Sequence, residues 1–281
     1  MRYRYILLLL FWGFTLQAQD QWDSPEESEP VRHEGILFSL GLGYTFPGAG
    51  PAEYYNGAGV YNNLYNRIYE QPQIYNQIKD SYNNYDWEIA QYPQDMFYRS
   101  SMFWTLNAYY YFKNGWGFYG TFSSARLEAN GIFTNRVLRF NGGQTEPILE
   151  TEPIRGTEQR LRFGAGVAKI FYNDSPINFF MEAGFEFNWQ NALDNEVQVG
   201  GRTYSIFFNQ QNIGGNVIFQ NSYGGGAALK TGLNTALGNK SIVDLGVGLY
   251  AANYNLSHSG MEVPGLVLDA EVFLRFSLGL F

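Results

Sequence analysis

The last seventeen residues, Gly265 to Phe281, constrain this chain more than any other stretch; they read GLVLDAEVFLRFSLGLF. Leu266, Leu268, Ala270, Val272, Leu274, Phe276, Leu278 and Leu280 are all apolar, whereas the intervening positions include Asp269, Glu271, Arg275 and Ser277. Strict alternation marks a β-strand with one apolar and one polar face. This one is longer than the usual strand of about 5–6 residues. A strand that crosses a bilayer at a tilt needs about 9–11 residues, apolar toward lipid and polar toward a lumen. The segment is therefore expected to span a membrane.

The same two-residue rhythm recurs upstream. Gly35–Phe46 places Ile36, Phe38, Leu40, Leu42 and Tyr44 on one face. Ser100–Phe112 alternates Met102, Trp104, Leu106, Ala108 and Tyr110 with Ser101, Thr105 and Asn107. Further strands start at Trp116, run Glu158–Phe171 and Ile177–Gln190, end near Leu237, and follow Lys240 with Val243, Leu245, Val247 and Leu249 outward. Short turns at 113–115 (with an Asn-Gly signal), 172–176 and 238–240 alternate with long connections at 47–99, 128–157, 191–216 and 253–264. The expected fold is all-β, an eight-stranded antiparallel transmembrane up-and-down barrel over 35–281 with long outer loops. A ten-stranded count is the alternative, using GIFTNRVLRF or the 195–208 hairpin with its Gly200-Gly201 turn. Within 47–99, Val60, Leu64 and Ile68 are spaced for a short helix that Pro72 interrupts.

The chain opens with Arg2 and Arg4, an apolar run from Ile6 to Leu16, and Gln17-Ala18 as a cleavage site. Residues 1–18 are expected to be a signal peptide, and 19–34 an acidic periplasmic tail. Removing the signal lowers Lys+Arg from 18 to 16 against 26 Asp+Glu, a net −10, which argues against nucleic-acid binding. There are no cysteines, so strand pairing must hold the exported chain together. No run of about 18 apolar residues exists to form a membrane helix. A mean hydropathy of −0.27 with 18% aromatics suits alternating strands better than a helical bundle.

Phe276, Leu278, Leu280 and the terminal Phe281 resemble the C-terminal assembly signal of Gram-negative outer-membrane β-barrel proteins. The pattern over 35–281 resembles the small eight-stranded barrels of the OmpA, OmpX and OmpW kinds. That resemblance implies the bacterial outer membrane, both termini in the periplasm, outer-membrane lipids and lipopolysaccharide as surroundings, and the barrel-assembly machinery as a partner. A second outer-membrane protein is a further expected partner if the barrel serves a larger complex.

On the inward face the rhythm collects Arg160, Arg162, Lys230 and Arg275 with Glu182, Glu186, Asp244, Asp269 and Glu271. An eight-stranded barrel is just wide enough for its side chains to fill. Buried charges there must pair, so an ion network that shuts the barrel is expected, with Arg162 near Glu186 and Asp244 near Arg275. The alternative is a small channel for apolar or small polar solutes. An outer-membrane lipid-modifying enzyme using His258, between Ser257 and Ser259, carries less weight, because a sequence neighbour is not a spatial triad. No metal-ligand spacing and no cofactor motif occurs. The connection 47–99 is the candidate partner-binding loop, through Tyr54, Tyr55, Tyr61, Tyr65, Tyr69 and Tyr75. Tyrosine supplies rigid amphipathic contact area. The expected function is that of a non-enzymatic platform whose outer loops bind a partner or ligand.

Overall fold

The computed structural model describes residues 34–59, 63–139, 147–172, 176–206, 221–237, 240–254 and 266–280. The expected signal peptide and most of the acidic tail, together with Tyr61, His258 and Phe281, lie outside them. Eleven strands form among the described residues: β1 (Gly35–Phe46), β2 (Asp86–Gln91), β3 (Phe97–Tyr98), β4 (Ser101–Tyr111), β5 (Trp116–Leu138), β6 (Ile148–Phe171), β7 (Ile177–Val199), β8 (Arg202–Ser205), β9 (Asn221–Ala236), β10 (Ser241–Ala252) and β11 (Val267–Leu280).

Eight of them close a ring. The order runs β5-β4-β1-β11-β10-β9-β7-β6, and β6 returns to β5. Every junction is antiparallel, from Ile36 opposite Leu280 to Trp116 opposite Lys169. This is the eight-stranded barrel that the alternation predicts; β2, β3 and β8 pair outside the ring rather than enlarging it to ten.

The barrel is apolar outside and polar inside. Phe38, Leu40, Leu42, Phe118, Phe185, Leu249 and Leu274 are among its exposed residues, while Thr105, Asn107, Glu182, Asp244 and Arg275 are buried. Ten residue steps separate Ile36 from Phe46. At about 3.3 Å per step and a tilt of about 40°, that belt is about 25 Å tall, the thickness of an outer-membrane apolar band. Such an exterior is built to face hydrocarbon. Phe112, Trp116, Phe118, Phe171 and Phe179 ring one edge of it, and Trp104, Phe187 and Tyr223 lie toward the other.

β5, β6 and β7, each 23 or 24 residues long in all, continue past the belt. Residues 128–157, expected as a connection, are largely strand. Above the belt the two faces of β5 exchange polarity. Thr121 and Ser123 point into the barrel, but the next inward residues are Ala125, Leu127, Ala129, Gly131 and Phe133, with Asn135 and Val137 beyond them. Outward, Phe118 and Phe122 give way to Arg126, Glu128 and Asn130. β7 changes phase through a bulge near Leu193: Asn188, Gln190 and Ala192 are buried below it, and Asn195, Val197 and Val199 above.

The connection 47–99 is folded. A 3-10 turn (Gly50–Tyr55) packs on β5 and β6, strands β2 and β3 pair alongside β5, and a π-helical turn (Tyr65–Tyr69) contacts β2 and helix α1 (Pro72–Ser81). Leu64, Ile68, Ile78, Trp87 and Met96 share a core with Leu127, Phe133, Val137, Ile154 and Val197. Pro72 starts α1, where a missing N–H costs nothing, rather than breaking a longer helix. Asn83 and Asn84, both at positive φ, end it. The result is a small folded cap over one mouth of the barrel.

Candidate functional site

The lumen holds ten buried charges among the described residues, and they form a column. At its far end from the cap, Arg275 bonds Glu182 at 2.7 Å and Asp244 at 3.1 Å. β10 and β11 fix the second contact by register, with Asp244 directly opposite Arg275. Lys230 lies 3.9 Å from Glu186. Arg162 reaches across the lumen to Glu271 at 2.5 Å and Asp269 at 3.6 Å. It faces Asn188 on β7 and lies near Glu186 as expected, but its salt bridges run to the opposite wall. Arg160 joins Asp269 at 3.1 Å to Glu158 at 2.5 Å.

Each cation also rests on aromatic rings. Arg160 lies 4.4 Å over Tyr254 and 4.9 Å over Tyr98; Arg162 is 4.6 Å over Tyr250. Arg275 sits between Phe180 at 4.9 Å and Phe273 at 4.7 Å. These contacts help to repay the removal of guanidinium from water. A void between Thr105, Asn107, Thr121, Lys230, Tyr250 and Arg275 has room for about one water molecule.

Glu158 connects column and cap. Its Oε2 accepts the Tyr55 hydroxyl at 3.0 Å and the Tyr98 hydroxyl at 2.7 Å, and its Oε1 takes Arg160. The Gly48 N–H donates to Asp269 at 2.8 Å, a second tie between the start of the cap and the lumen. Glu158 was not among the expected lumen charges. It raises the buried carboxylates from five to six against four cations. Its parity marked it as inward, since Arg160 and Arg162 share its face, but it stood at the expected strand end, where a charge reads as rim.

The expected recognition tyrosines divide into two groups. Tyr54 and Tyr55 are buried within the cap. Tyr65 is exposed and Tyr69 and Tyr75 are half-buried. Tyr65 stacks on Tyr69 at 4.9 Å, Tyr69 meets Tyr75 edge-on at 5.3 Å, and Tyr75 stacks on buried Trp87 at 5.3 Å. The Trp87 indole donates to the Tyr75 carbonyl at 3.3 Å, which fixes the ridge to the cap core. On the cap's other side, burial pushes the Tyr82 hydroxyl up to about 12. That hydroxyl accepts from Asn135 and donates to Glu152. Phe276, Leu278 and Leu280 lie outward on β11, which pairs with β1 to close the ring. Among the described residues no three His, Cys, Asp or Glu side chains group as metal ligands.

No family model and no curated protein matches the sequence. The solved structures it resembles include small outer-membrane barrels. Neisserial surface protein A aligns with a TM-score of 0.44 at 10% identity, covering 88% of this chain and 98% of that one. The attachment invasion locus protein of Yersinia pestis, in complex with the heparin analogue sucrose octasulfate, gives 0.37 at 11%, covering 88% and 99%. OprG of Pseudomonas aeruginosa gives 0.36 at 11%, covering 89% and 98%. Likeness at this level carries no weight on function; the closed ring stands on its own hydrogen bonds.

Proposed function

We propose that this protein is a non-enzymatic outer-membrane barrel with both termini in the periplasm, shut by its ion-pair column, whose folded cap meets a partner or ligand. The observation that carries this reading is Glu158. One carboxylate holds the lumen arginine nearest the cap and two cap tyrosines, so the cap is built as part of the barrel. A cap held this way presents the Tyr65–Tyr69–Tyr75 ridge on a rigid base, which lowers the entropy lost on binding. That arrangement suits an accessory subunit of a larger outer-membrane assembly. The channel alternative has less support, because charge pairs span the lumen from wall to wall.

The test is site-specific photo-crosslinking in intact cells. A crosslinker at Tyr65 or Tyr69 is expected to capture one defined product that a crosslinker at Leu249, on the belt, does not. Capture weakened by Tyr75→Ala would tie the product to the ridge. Identical products from ridge and belt would contradict the platform reading.

A further inference from the structure

Where β5 and β6 continue past the belt, their outward face has an apolar centre. Ile132 on β5 stands opposite Pro153 on β6; Leu149 lies four residues nearer the hairpin tip, and Phe97 of β3 one row below, opposite Asn130. Ile132, Leu149 and Phe97 are 64%, 60% and 52% exposed, and Pro153 is exposed as well. Ile132 lies beyond Arg126, where the outward face first becomes charged. At the strand rise and tilt used for the belt it stands about 15 Å above it, past a headgroup layer of about 5–8 Å. Large apolar side chains clustered in polar surroundings mark an interaction surface. Paired charges border the patch. Below it, Glu128 on β5 takes Arg99 at 3.3 Å and Arg155 of β6 in a closer pair, and Arg155 stands opposite Glu196 of β7, with Asp194 nearby. At its upper end Arg136 bonds Glu88 at 2.8 Å. An apolar centre inside a polar rim is the anatomy of a protein interface.

We propose that this face docks a second copy of the chain, side by side in the same membrane. Copies inserted by one route share one orientation, so a closed pair has its two-fold axis along the membrane normal. Such an axis keeps heights equal and exchanges left with right. Passing between β5 and β6, it sets β5 of each copy against β6 of the other. Ile132 then meets the second copy's Pro153, and Glu128 comes within one row of the second copy's Arg155, both contacts occurring twice. Signs alternate across the face from Glu128 to Arg155 to Glu196, so unlike charges meet at matching height, where a face of one sign would repel its copy. Phe122 and Phe163 lie on the same face below, within the belt, and continue the contact downward. Confinement to one membrane plane raises the effective concentration of the copies, so a small patch suffices. The pairing rests on the membrane reading of the belt and is independent of the tyrosine ridge.

The chain has no cysteine, so a single introduced thiol reports its own neighbour. Full-length Ile132→Cys is inserted in phosphatidylcholine vesicles, oxidised with copper phenanthroline and run on a non-reducing gel. A disulfide-linked dimer is expected, with about tenfold less from Leu249→Cys, on the belt across the barrel, or from Thr203→Cys, at the sheet's far edge. Adding Pro153→Asp to Ile132→Cys should lower the dimer about tenfold, the loss that an unpaired charge at an interface centre brings. Arg155→Glu should lower it too, and Glu128→Arg in the same chain should restore it. Equal linking from Ile132→Cys and Leu249→Cys, as random collision gives, overturns the proposal. So does linking untouched by both Pro153→Asp and Arg155→Glu. An Ile132→Cys chain that stays monomeric in vesicles and links only to a different protein in intact cells assigns the face to that partner and overturns the second copy. Heat-modifiable migration confirms that each variant folds, and protease protection reports insertion separately. A wild-type chain that fails to insert removes the membrane reading, and the shared two-fold axis with it.

Discussion

Glu158 is the residue on which the lumen and the cap both depend. Replacing it with Gln keeps the shape but leaves Arg160 with only Asp269 in a buried site. Breaking such a pair costs about 3–5 kcal/mol. Glu158→Gln is expected to lower the urea midpoint of the barrel in micelles by a corresponding amount, and Tyr55→Phe by less. A second residue makes the cap lose stability as pH rises. Burial pushes the Glu53 carboxyl above the usual carboxylate range, against bonds from the Met96 N–H at 3.1 Å and the Asn56 amide at 3.4 Å. A raised value means that the folded cap holds the proton more tightly than the open chain. The stabilisation is therefore full below the ordinary value of 4.5 and is lost as pH rises through the raised one. Trp87 fluorescence should report a looser cap on titrating upward through that window, and Glu53→Gln should remove the change. Of these residues, the inward charges on uninterrupted strands were legible in the sequence because parity alone assigns their face. The partner of each was not, since Arg162 pairs across the lumen and no local spacing encodes the opposite wall.

At the scale of elements, alternation located all eight ring strands, because within the belt each face has one polarity. It lost β5, β6 and β7 where they leave the belt. There the outward face of β5 turns to Arg126 and Glu128 while Leu127 and Phe133 turn in, so the pattern inverts although the strand continues. In β7 the bulge near Leu193 adds a phase shift. The cap was legible only as spaced apolar residues. Its fold depends on burying Ile68, Ile78 and Trp87 against strands far away in sequence. The hairpin from β7 to β8 follows local chemistry instead: Gly200 and Gly201 both take positive φ, as a two-residue turn requires. One close approach tests how the cap is seated. A Cβ built on Gly156 would collide with the Tyr55 side chain at its Cδ1. Gly156→Leu is expected to displace Tyr55 and loosen the cap, raising hydrogen exchange of the α1 amides while those of β10 and β11 stay protected. Equal exchange gain in barrel and cap would show that the two do not open separately.

For the whole molecule, the polarity is inverted relative to a water-soluble barrel: a belt of Phe, Leu and Trp outside and a column of paired charges within. Four cations against six carboxylates, all buried, bind opposite walls of the lumen together through Arg160, Arg162 and Arg275. On the proposed reading, the lumen is part of what holds the barrel closed as well as what fills it. Removing one of these arginines should both weaken the barrel and open a path, since deleting a long side chain from a space this narrow leaves a cavity. The decisive measurement is current across a planar bilayer carrying the full-length protein, with insertion confirmed by protease protection. The wild-type chain is expected to show no steady current, and Arg162→Ala with Arg275→Ala to show brief openings. A stable, defined conductance from the wild-type protein would contradict a barrel shut by its own ion pairs.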